Sequence, residues 1–161
     1  MKRYEDSDYF EKNRLKQWNQ EHKAGGFRCS HCRQFVVIND YMGTVNRNHC
    51  NMCLWSKHVD NATGDRHSDC NGGMEPIGLT FKHEGIGRVG EIMFIHLCLS
   101  CSKIHINRVA RDDPDQGILA IFQKSLNLDH SLRKRLDSLD IYLLGEEDRA
   151  EVTVQLFGNA I

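Results

Sequence analysis

The stretch of sequence that decides the fold is RNHCNMCLWSKHVD, residues 47–60. It holds one Cys-x-x-Cys pair and, five residues later, His58. The chain contains three such pairs: Cys29/Cys32, Cys50/Cys53 and Cys98/Cys101. Thiolate and imidazole are the donors that Zn²⁺ prefers, and a Cys-x-x-Cys pair on a tight turn supplies half of a tetrahedral shell. The three pairs therefore predict zinc-binding turns rather than ordinary buried cysteines.

Composition supports metal binding over disulfide bonding. Of the 161 residues 40% are hydrophobic, which indicates one globular domain with appendages. Residues 1–18 contain no apolar core of a secretory signal, and no stretch approaches the roughly 20 apolar residues that span a bilayer. We therefore expect a cytoplasmic protein with reduced thiols. The seven cysteines, an odd number, also argue against a closed disulfide framework.

The cysteines divide into two tetrahedral sets if one histidine joins them. Cys29/Cys32 and Cys50/Cys53 are separated by seventeen residues, a usual zinc-ribbon spacing, and are expected to share one ion. The second set would then consist of Cys70, Cys98, Cys101 and a histidine. The other pairing of the same ligands joins Cys29/Cys32 to Cys98/Cys101 and leaves Cys50, Cys53, His58 and Cys70 for the second ion. The first pairing is favoured because its shorter loop closes at a lower entropic cost.

The eighth ligand is the least defined by the sequence. We favour His58, which lies close to the central pair and leads into the loop that carries Cys70. His67 and His96 are alternatives. In either pairing all four donors of each set are protein groups, which is typical of structural rather than catalytic zinc. We therefore expect two structural zinc ions.

The pattern of apolar residues predicts an α+β fold. Residues 27–32 followed by 34–38 predict a strand, a tight turn that carries the thiolates, and a second strand, and short apolar runs predict further strands at 77–81, 91–97 and 103–109. Asp112-Asp113-Pro114-Asp115 predicts a helix start, and leucines at three- and four-residue spacing predict a second helix from about 129 to a stop at Gly145. A last short helix is expected over 146–157. The predicted domains are a charged N-terminal extension (1–24), a small β-rich, zinc-ribbon-like module with two zinc sites (25–111) and an acidic helical C-terminal region (112–161).

Several motifs resemble those of the RNHCP domain family. The matching segments are Arg47–Cys50, Cys53–Leu54, Ser56, His58–Asp60, Gly64–Arg66, Cys70, Gly72, Met74, Pro76–Ile77, His96, Cys98, Cys101, Asn107–Arg108 and Asp112–Asp113. The resemblance covers roughly residues 25–120. It implies a cysteine-rich, prokaryotic-type, zinc-binding domain and does not indicate an activity. Asn51 replaces the proline of the family motif. Arg33 and Ser102 stand where such turns often have glycine, so we expect a strained backbone at these two residues.

The polar residues around the cysteines allow three functional hypotheses. The leading one is a non-catalytic module that contacts RNA or a ribonucleoprotein, with Arg47, Lys57, Arg66 and Arg108 as phosphate contacts. Residues 28–111 carry ten Lys/Arg against seven Asp/Glu, whereas residues 112–161 carry five against ten. The second hypothesis is a protein-interaction adaptor that uses the C-terminal helices. The third is a metal-dependent nuclease of the HNH type, in which His58 would be the general base and so could not be a zinc ligand.

Overall fold

The computed structural model describes residues 25–38, 47–62, 65, 67–83, 85 and 89–158. The expected N-terminal extension, residues 1–24, and the candidate contact Arg66 lie outside these described residues. Within the described part, the elements in chain order are six strands, two α-helices, a 3₁₀ turn and a third α-helix. The α+β fold class predicted from the sequence is confirmed.

The first sheet is a small antiparallel hairpin. Strand β1 (Gly26–Arg28) pairs with β2 (Phe35–Val37), and Phe27 lies opposite Val36. Side chains alternate across a strand, so these two apolar residues point to the same side. There they form a small core whose other buried members are Cys29, Cys50 and Val59. This core includes Cys29 and Cys50 of the Cys-x-x-Cys pairs, as expected for a segment with few apolar residues of its own.

The second sheet is a four-stranded antiparallel meander in the order β3-β4-β5-β6. Its strands are β3 (Ser56–Lys57), β4 (Gly73–His83), β5 (Val89–Cys98) and β6 (Ile104–Arg108). The predicted pairing of the two central apolar runs is correct, and both strands are longer than predicted. Strand β5 ends at Cys98, so the sheet itself carries the third Cys-x-x-Cys pair.

Three helices in the described region cover the larger sheet. They are α1 (Asp115–Ser125), α2 (His130–Ser138) and α3 (Arg149–Phe157), with a 3₁₀ turn at Glu146–Asp148. Buried residues of β4 and β5 meet buried residues of the helices in one cluster: Leu54, Leu79, Ile92, Phe94, Ile118, Phe122, Leu144 and Val152. Each such side chain contributes about 1.5–3 kcal/mol on burial. The C-terminal helices therefore share the main core of the protein with the sheet.

The second helix is shorter than the leucine spacing predicts. Asp140 has a positive φ of 55°, and the amide of Ile141 donates to the carbonyl of Leu136 at 3.0 Å. This is the hydrogen-bond pattern of a Schellman C-cap, with aspartate in the left-handed position that glycine usually occupies. The chain then runs extended, and the Leu144 amide donates to the Leu79 carbonyl of β4 at 2.9 Å. The prediction that this helix continues to Gly145 was wrong because β4 offers a backbone partner.

Among the residues that the structure describes, no helix is long and apolar enough to cross a membrane.

Candidate metal centres

The three Cys-x-x-Cys turns have one backbone geometry, and we call them knuckle 1 (29–34), knuckle 2 (50–55) and knuckle 3 (98–103). In each, the residue after the second cysteine donates its amide to the first cysteine's carbonyl, at 3.0, 2.9 and 2.9 Å in chain order. These residues are Arg33, Leu54 and Ser102, and their φ values are 69°, 64° and 66°. The strain expected at Arg33 and Ser102 is thus present, and it also occurs at Leu54.

Within the described part of the chain the donor atoms lie in two groups. In each group the four donor atoms all lie within 4.8 Å of one another. Donor group 1 consists of Cys29, Cys32, Cys50 and Cys53. Donor group 2 consists of His58, Cys70, Cys98 and Cys101. The structure thus places the atoms in the pairing with the shorter loop, and His58 is the histidine beside the three remaining cysteines.

Distances within the groups match a tetrahedral zinc shell. In donor group 1 the Cys29 and Cys53 sulfurs are 3.6 Å apart, and those of Cys32 and Cys50 are 3.5 Å apart. Zn–S bonds of about 2.3 Å place tetrahedral sulfurs about 3.8 Å apart, whereas a disulfide bond is about 2.05 Å long. All seven cysteines are free. The donor set and spacing therefore suit zinc.

Contact between the thiols of donor group 1 favours a bound cation. A hydrogen bond between Cys29 and Cys50 lowers the pKa of Cys29 to about 4. The same hydrogen bond raises the pKa of Cys50. Burial raises the pKa of Cys53 to about 12. The protein groups alone thus stabilise one thiolate among its neighbours. Four thiolates in contact need a positive ion between them, because like charges at this distance disfavour ionisation.

Donor group 2 is assembled from more distant parts of the chain. Knuckle 3 supplies Cys98 and Cys101, and the loop between β3 and β4 supplies His58 and Cys70. The Cys101 sulfur lies 3.2 Å from His58 Nδ1, and the Cys70 and Cys98 sulfurs are 3.6 Å apart. Burial lowers the pKa of His58, which favours the neutral imidazole that a metal requires.

The outer nitrogen of His58 is less well supported than is usual for a zinc ligand. His58 Nε2 is buried and makes no hydrogen bond within the described part of the chain, although the Asp60 backbone lies near the ring and opposes the effect of burial on its pKa. The His58 ring instead meets the His105 ring edge-on, with 4.7 Å between centroids. Zinc-bound histidines almost always donate their second N–H to a carboxylate, carbonyl or water, and loss of that partner weakens metal binding about 10–100-fold.

Gly72 is required by close packing beside donor group 2. A Cβ at this position would lie 2.4 Å from Ser100 Oγ and 3.0 Å from Cys98 Sγ. The Gly72 carbonyl also accepts a hydrogen bond from the His58 amide at 2.9 Å. Any side chain here would push knuckle 3 away from the loop that carries the other two donors.

The two alternative histidines, His67 and His96, lie outside both donor groups. His67 is exposed in the loop, outside both donor groups. His96 is buried in β5, and burial lowers its pKa to about 3, so the ring is neutral. Its Nε2–H donates to the Leu54 carbonyl at 2.8 Å, and its Nδ1 accepts from Asn107 Nδ2 at 2.8 Å. His96 therefore ties knuckle 2 to the sheet.

The Arg-Asn-His segment that precedes Cys50 is buried and has a structural role. Arg47 Nη2 donates to Asp113 Oδ1 at 2.8 Å, and its Nη1 is paired with Asp112. The other Asp113 oxygen lies 2.6 Å from His49 Nε2 and accepts the Ala110 amide at 2.7 Å. The Arg47 side chain is 0% exposed. This burial corrects the expectation that Arg47 contacts nucleic acid, because its guanidinium is already held by two carboxylates.

The same network revises the role of the two aspartates. Helix α1 begins at Asp115 after Pro114, close to the predicted start. Asp112 and Asp113 turn back to bind Arg47 instead of interacting with the helix terminus. Sequence patterns alone did not reveal this contact across 65 positions. The one available signal was that both partners belong to the motifs shared with the RNHCP domain.

The other predicted nucleic-acid contacts have mixed positions. Lys57 is half-buried in β3. Arg108 is exposed on the edge strand β6, and its Nε donates to Glu91 at 2.9 Å. Trp55 is half-buried, and its ring stacks on that of His31, with 3.9 Å between centroids and 3° between planes. No local sequence pattern singles out His31, which bridges knuckles 1 and 2 through this stack.

Fold and donor groups together define an α+β protein with two clusters arranged to bind zinc. The RNHCP domain model matches residues 24–119, which is more than half of the chain, and the protein belongs to the RNHCP domain family. The match ends within α1, so part of the helical core lies beyond it. A comparison with curated proteins gave no match, and neither did a comparison with solved structures.

Proposed function

We propose that this protein is a non-catalytic binding module, held together by two structural zinc ions, that contacts RNA or a ribonucleoprotein in the cytoplasm. The observation that carries the proposal is the composition of the donor groups. Each offers four protein ligands, so a tetrahedral Zn²⁺ bound there has no position open for water or substrate. Cys29, Cys32, Cys50 and Cys53 would hold one ion, and His58, Cys70, Cys98 and Cys101 the other. The ions would supply folding free energy.

The nuclease hypothesis conflicts with the position of His58. Its Nδ1 lies among the donors of group 2, and its Nε2 is buried. A general base must reach the proton that it removes. Releasing His58 for that role would remove one of four metal ligands, so the geometry favours the structural role.

Cationic side chains around donor group 1 support a polyanionic partner. Residues 25–38 and 47–57 contain Arg28, Arg33, Arg47 and Lys57 but no Asp or Glu. Four thiolates with one Zn²⁺ have a formal charge of −2, and Arg47 with its two aspartates adds −1, which the other three cations balance. Arg28 and Arg33 are exposed, and arginines at a surface are among the side chains that contact phosphate.

Salt-dependent RNA binding tests this function. Fluorescence anisotropy with a labelled, unstructured 12-nucleotide RNA would measure affinity from about 50 to 200 mM salt. Three phosphate contacts, made by Arg33, Lys57 and Arg108, predict a slope of about −2 for log K against log salt. Replacement of Lys57 or Arg108 by alanine should each reduce the slope by about 0.7. Zinc-stripped protein is the control and should not bind; absence of binding by the zinc-loaded protein at 50 mM salt would contradict the proposal.

A second candidate function, the protein-interaction adaptor, is supported by helix α3. Val154 and Phe157 are three positions apart, on one helix face, and are 41% and 44% exposed. An apolar pair of this kind can dock a partner protein. Phe157→Asp should abolish capture of such a partner while leaving RNA affinity unchanged. Capture that survives Phe157→Asp would argue against the adaptor.

A further inference from the structure

The stacked rings of His31 and Trp55 form an exposed column between knuckles 1 and 2. His31 is the third residue of knuckle 1 and is exposed, although Trp55 covers one face of its ring at 3.9 Å. The exposed surface of His31 therefore lies on the part of the residue that Trp55 does not cover. On its inner side, the Trp55 ring faces Gly73 of β4: a Cβ added to this glycine would lie 3.9 Å from the ring. The column thus runs from the sheet outward and ends at His31, an exposed residue.

The rings are held in place by the zinc-binding turns. The Cys50 amide donates to the Trp55 carbonyl at 2.8 Å, which closes knuckle 2. Ser56 is buried, so its neighbours Trp55 and Lys57 lie on the outer side of the strand. His31 lies between two donors of group 1. The stacking surface is therefore preorganised and loses little conformational entropy when a ligand binds.

Positive charge flanks the open end of the column. Arg33 is exposed and follows His31 by two residues. Arg28 Nη1 donates to the Arg33 carbonyl at 2.9 Å, which brings a second guanidinium to the same turn. An aromatic face beside cations fits a planar base followed by a phosphate, which is how single-stranded nucleic acids are bound.

We infer that the outer face of His31 stacks an unpaired RNA base, backed by Trp55, while Arg33 contacts an adjacent phosphate. This inference rests on the proposed RNA-binding function and names its contact surface. Single-stranded RNA is the ligand because bases within a duplex have no free face, and because single-stranded loops and ends of RNA expose their bases.

Substitutions at His31 separate stacking from charge. His31→Ala should weaken binding of the 12-nucleotide RNA about tenfold, whereas His31→Phe, which keeps a flat ring, should stay within threefold of the unchanged protein. Met52 occupies the equivalent position of knuckle 2 and is 64% exposed, so Met52→Ala is the matched control and should change affinity less than twofold. Arg33→Gln should reduce the salt slope by about 0.7. Zinc content and melting temperature of each variant show that it is folded.

Direct evidence would come from the His31 ring protons, which should shift upfield in NMR spectra when a base stacks on them. The duplex of the same RNA should bind at least tenfold more weakly. RNA binding that is unaffected by His31→Ala, or that is as strong for the duplex, would overturn this inference and leave the proposed function standing. Stronger binding of the DNA of the same sequence would overturn the assignment to RNA. No RNA binding at all would overturn both proposals.

Discussion

Donor groups 1 and 2 use the same knuckle geometry but are built from different parts of the chain. Group 1 joins knuckles 1 and 2, and two of its cysteines belong to a small core with Phe27, Val36 and Val59. Group 2 joins knuckle 3, at the end of β5, to His58 and Cys70 of the loop between β3 and β4. The first group thus holds a segment that has almost no core, whereas the second is attached to a sheet whose core exists independently.

The two groups also differ in how well their ligands are protected. Cys29 and Cys50 of group 1 are 4% and 0% exposed, and its other two cysteines are half-buried. In group 2, Cys101 is exposed and His58 Nε2 lacks an acceptor in the described part of the chain. Solvent access to Cys101 and a weakly supported outer nitrogen of His58 both favour metal loss. We expect group 2 to be the more labile site.

The two donor groups also differ in the charge of the residues around them. Residues 25–38 and 47–57, around group 1, contain cations and no acids. Residues 58–72 and 98–103, around group 2, contain three aspartates against Arg66 and Lys103. The proposed polyanionic partner would therefore be attracted to the first group rather than to the second, which agrees with the position of the stacked rings on knuckles 1 and 2.

The largest expected effect comes from removing one thiolate of each group. Cys50→Ser should leave one zinc per chain and unfold residues 25–38, because three buried apolar side chains contribute about 1.5–3 kcal/mol each against a backbone entropy cost of about 1–2 kcal/mol per residue. Cys101→Ser should also leave one zinc but preserve the sheet and helices. Amide NMR spectra with zinc analysis compare them. Loss of the whole fold in Cys101→Ser would refute the difference between the groups.

The next largest effect concerns the buried ion network that links the segment before Cys50 to the start of α1. Asp113→Ala leaves Arg47 with one carboxylate and His49 without its partner, so urea unfolding of zinc-loaded protein should show a loss of about 3–5 kcal/mol. Asp112 is 25% exposed on its side chain, and Asp112→Ala should cost less. Equal losses in the two variants would mean that burial does not determine the cost.

A smaller effect should appear in zinc release. With a chelator that reports released metal, we expect two phases, the faster of which comes from group 2 and exceeds the slower by about tenfold. The fast phase should be absent in Cys101→Ser, since that variant lacks the second site. A single phase in the unchanged protein, or a fast phase that persists in Cys101→Ser, would contradict the proposed order of metal loss.

The smallest effect concerns backbone strain in the knuckles. Ser102 has a φ of 66° and is exposed, so Ser102→Gly should stabilise zinc-loaded protein by about 1 kcal/mol. Ser30 is exposed in knuckle 1 without a positive φ, and Ser30→Gly should instead destabilise by about 0.5–1 kcal/mol. Thermal unfolding measures both. Destabilisation by Ser102→Gly would show that the left-handed turn is not strained.

Local sequence rules were sufficient for the longer strands and for the residues that form the two donor groups. The Cys-x-x-Cys spacing places both sulfurs on one tight turn, and a short apolar run such as Ile92–Ile95 in β5 indicates a strand without knowledge of its neighbours. Loop-closure entropy favoured the pairing of Cys29/Cys32 with Cys50/Cys53 that the structure has.

Long-range contacts could not be read in the same way. The charge of Arg47 indicated a phosphate ligand as readily as a carboxylate, and only the fold brings Asp113 to it. The stack of His31 on Trp55 likewise depends on how two knuckles meet around one donor group. The end of α2 was missed because the leucine spacing continues beyond Ser138, whereas the backbone partner on β4 is distant in sequence.

Zinc content of the purified full-length chain is the measurement that tests the central claim most directly. If metal ions replace the core that residues 25–38 and 47–72 lack, elemental analysis should give two zinc per chain, and removal of both ions should abolish the dispersed amide signals of these residues. One zinc or none in folded protein, or a metal-free chain that keeps those signals, would contradict the account.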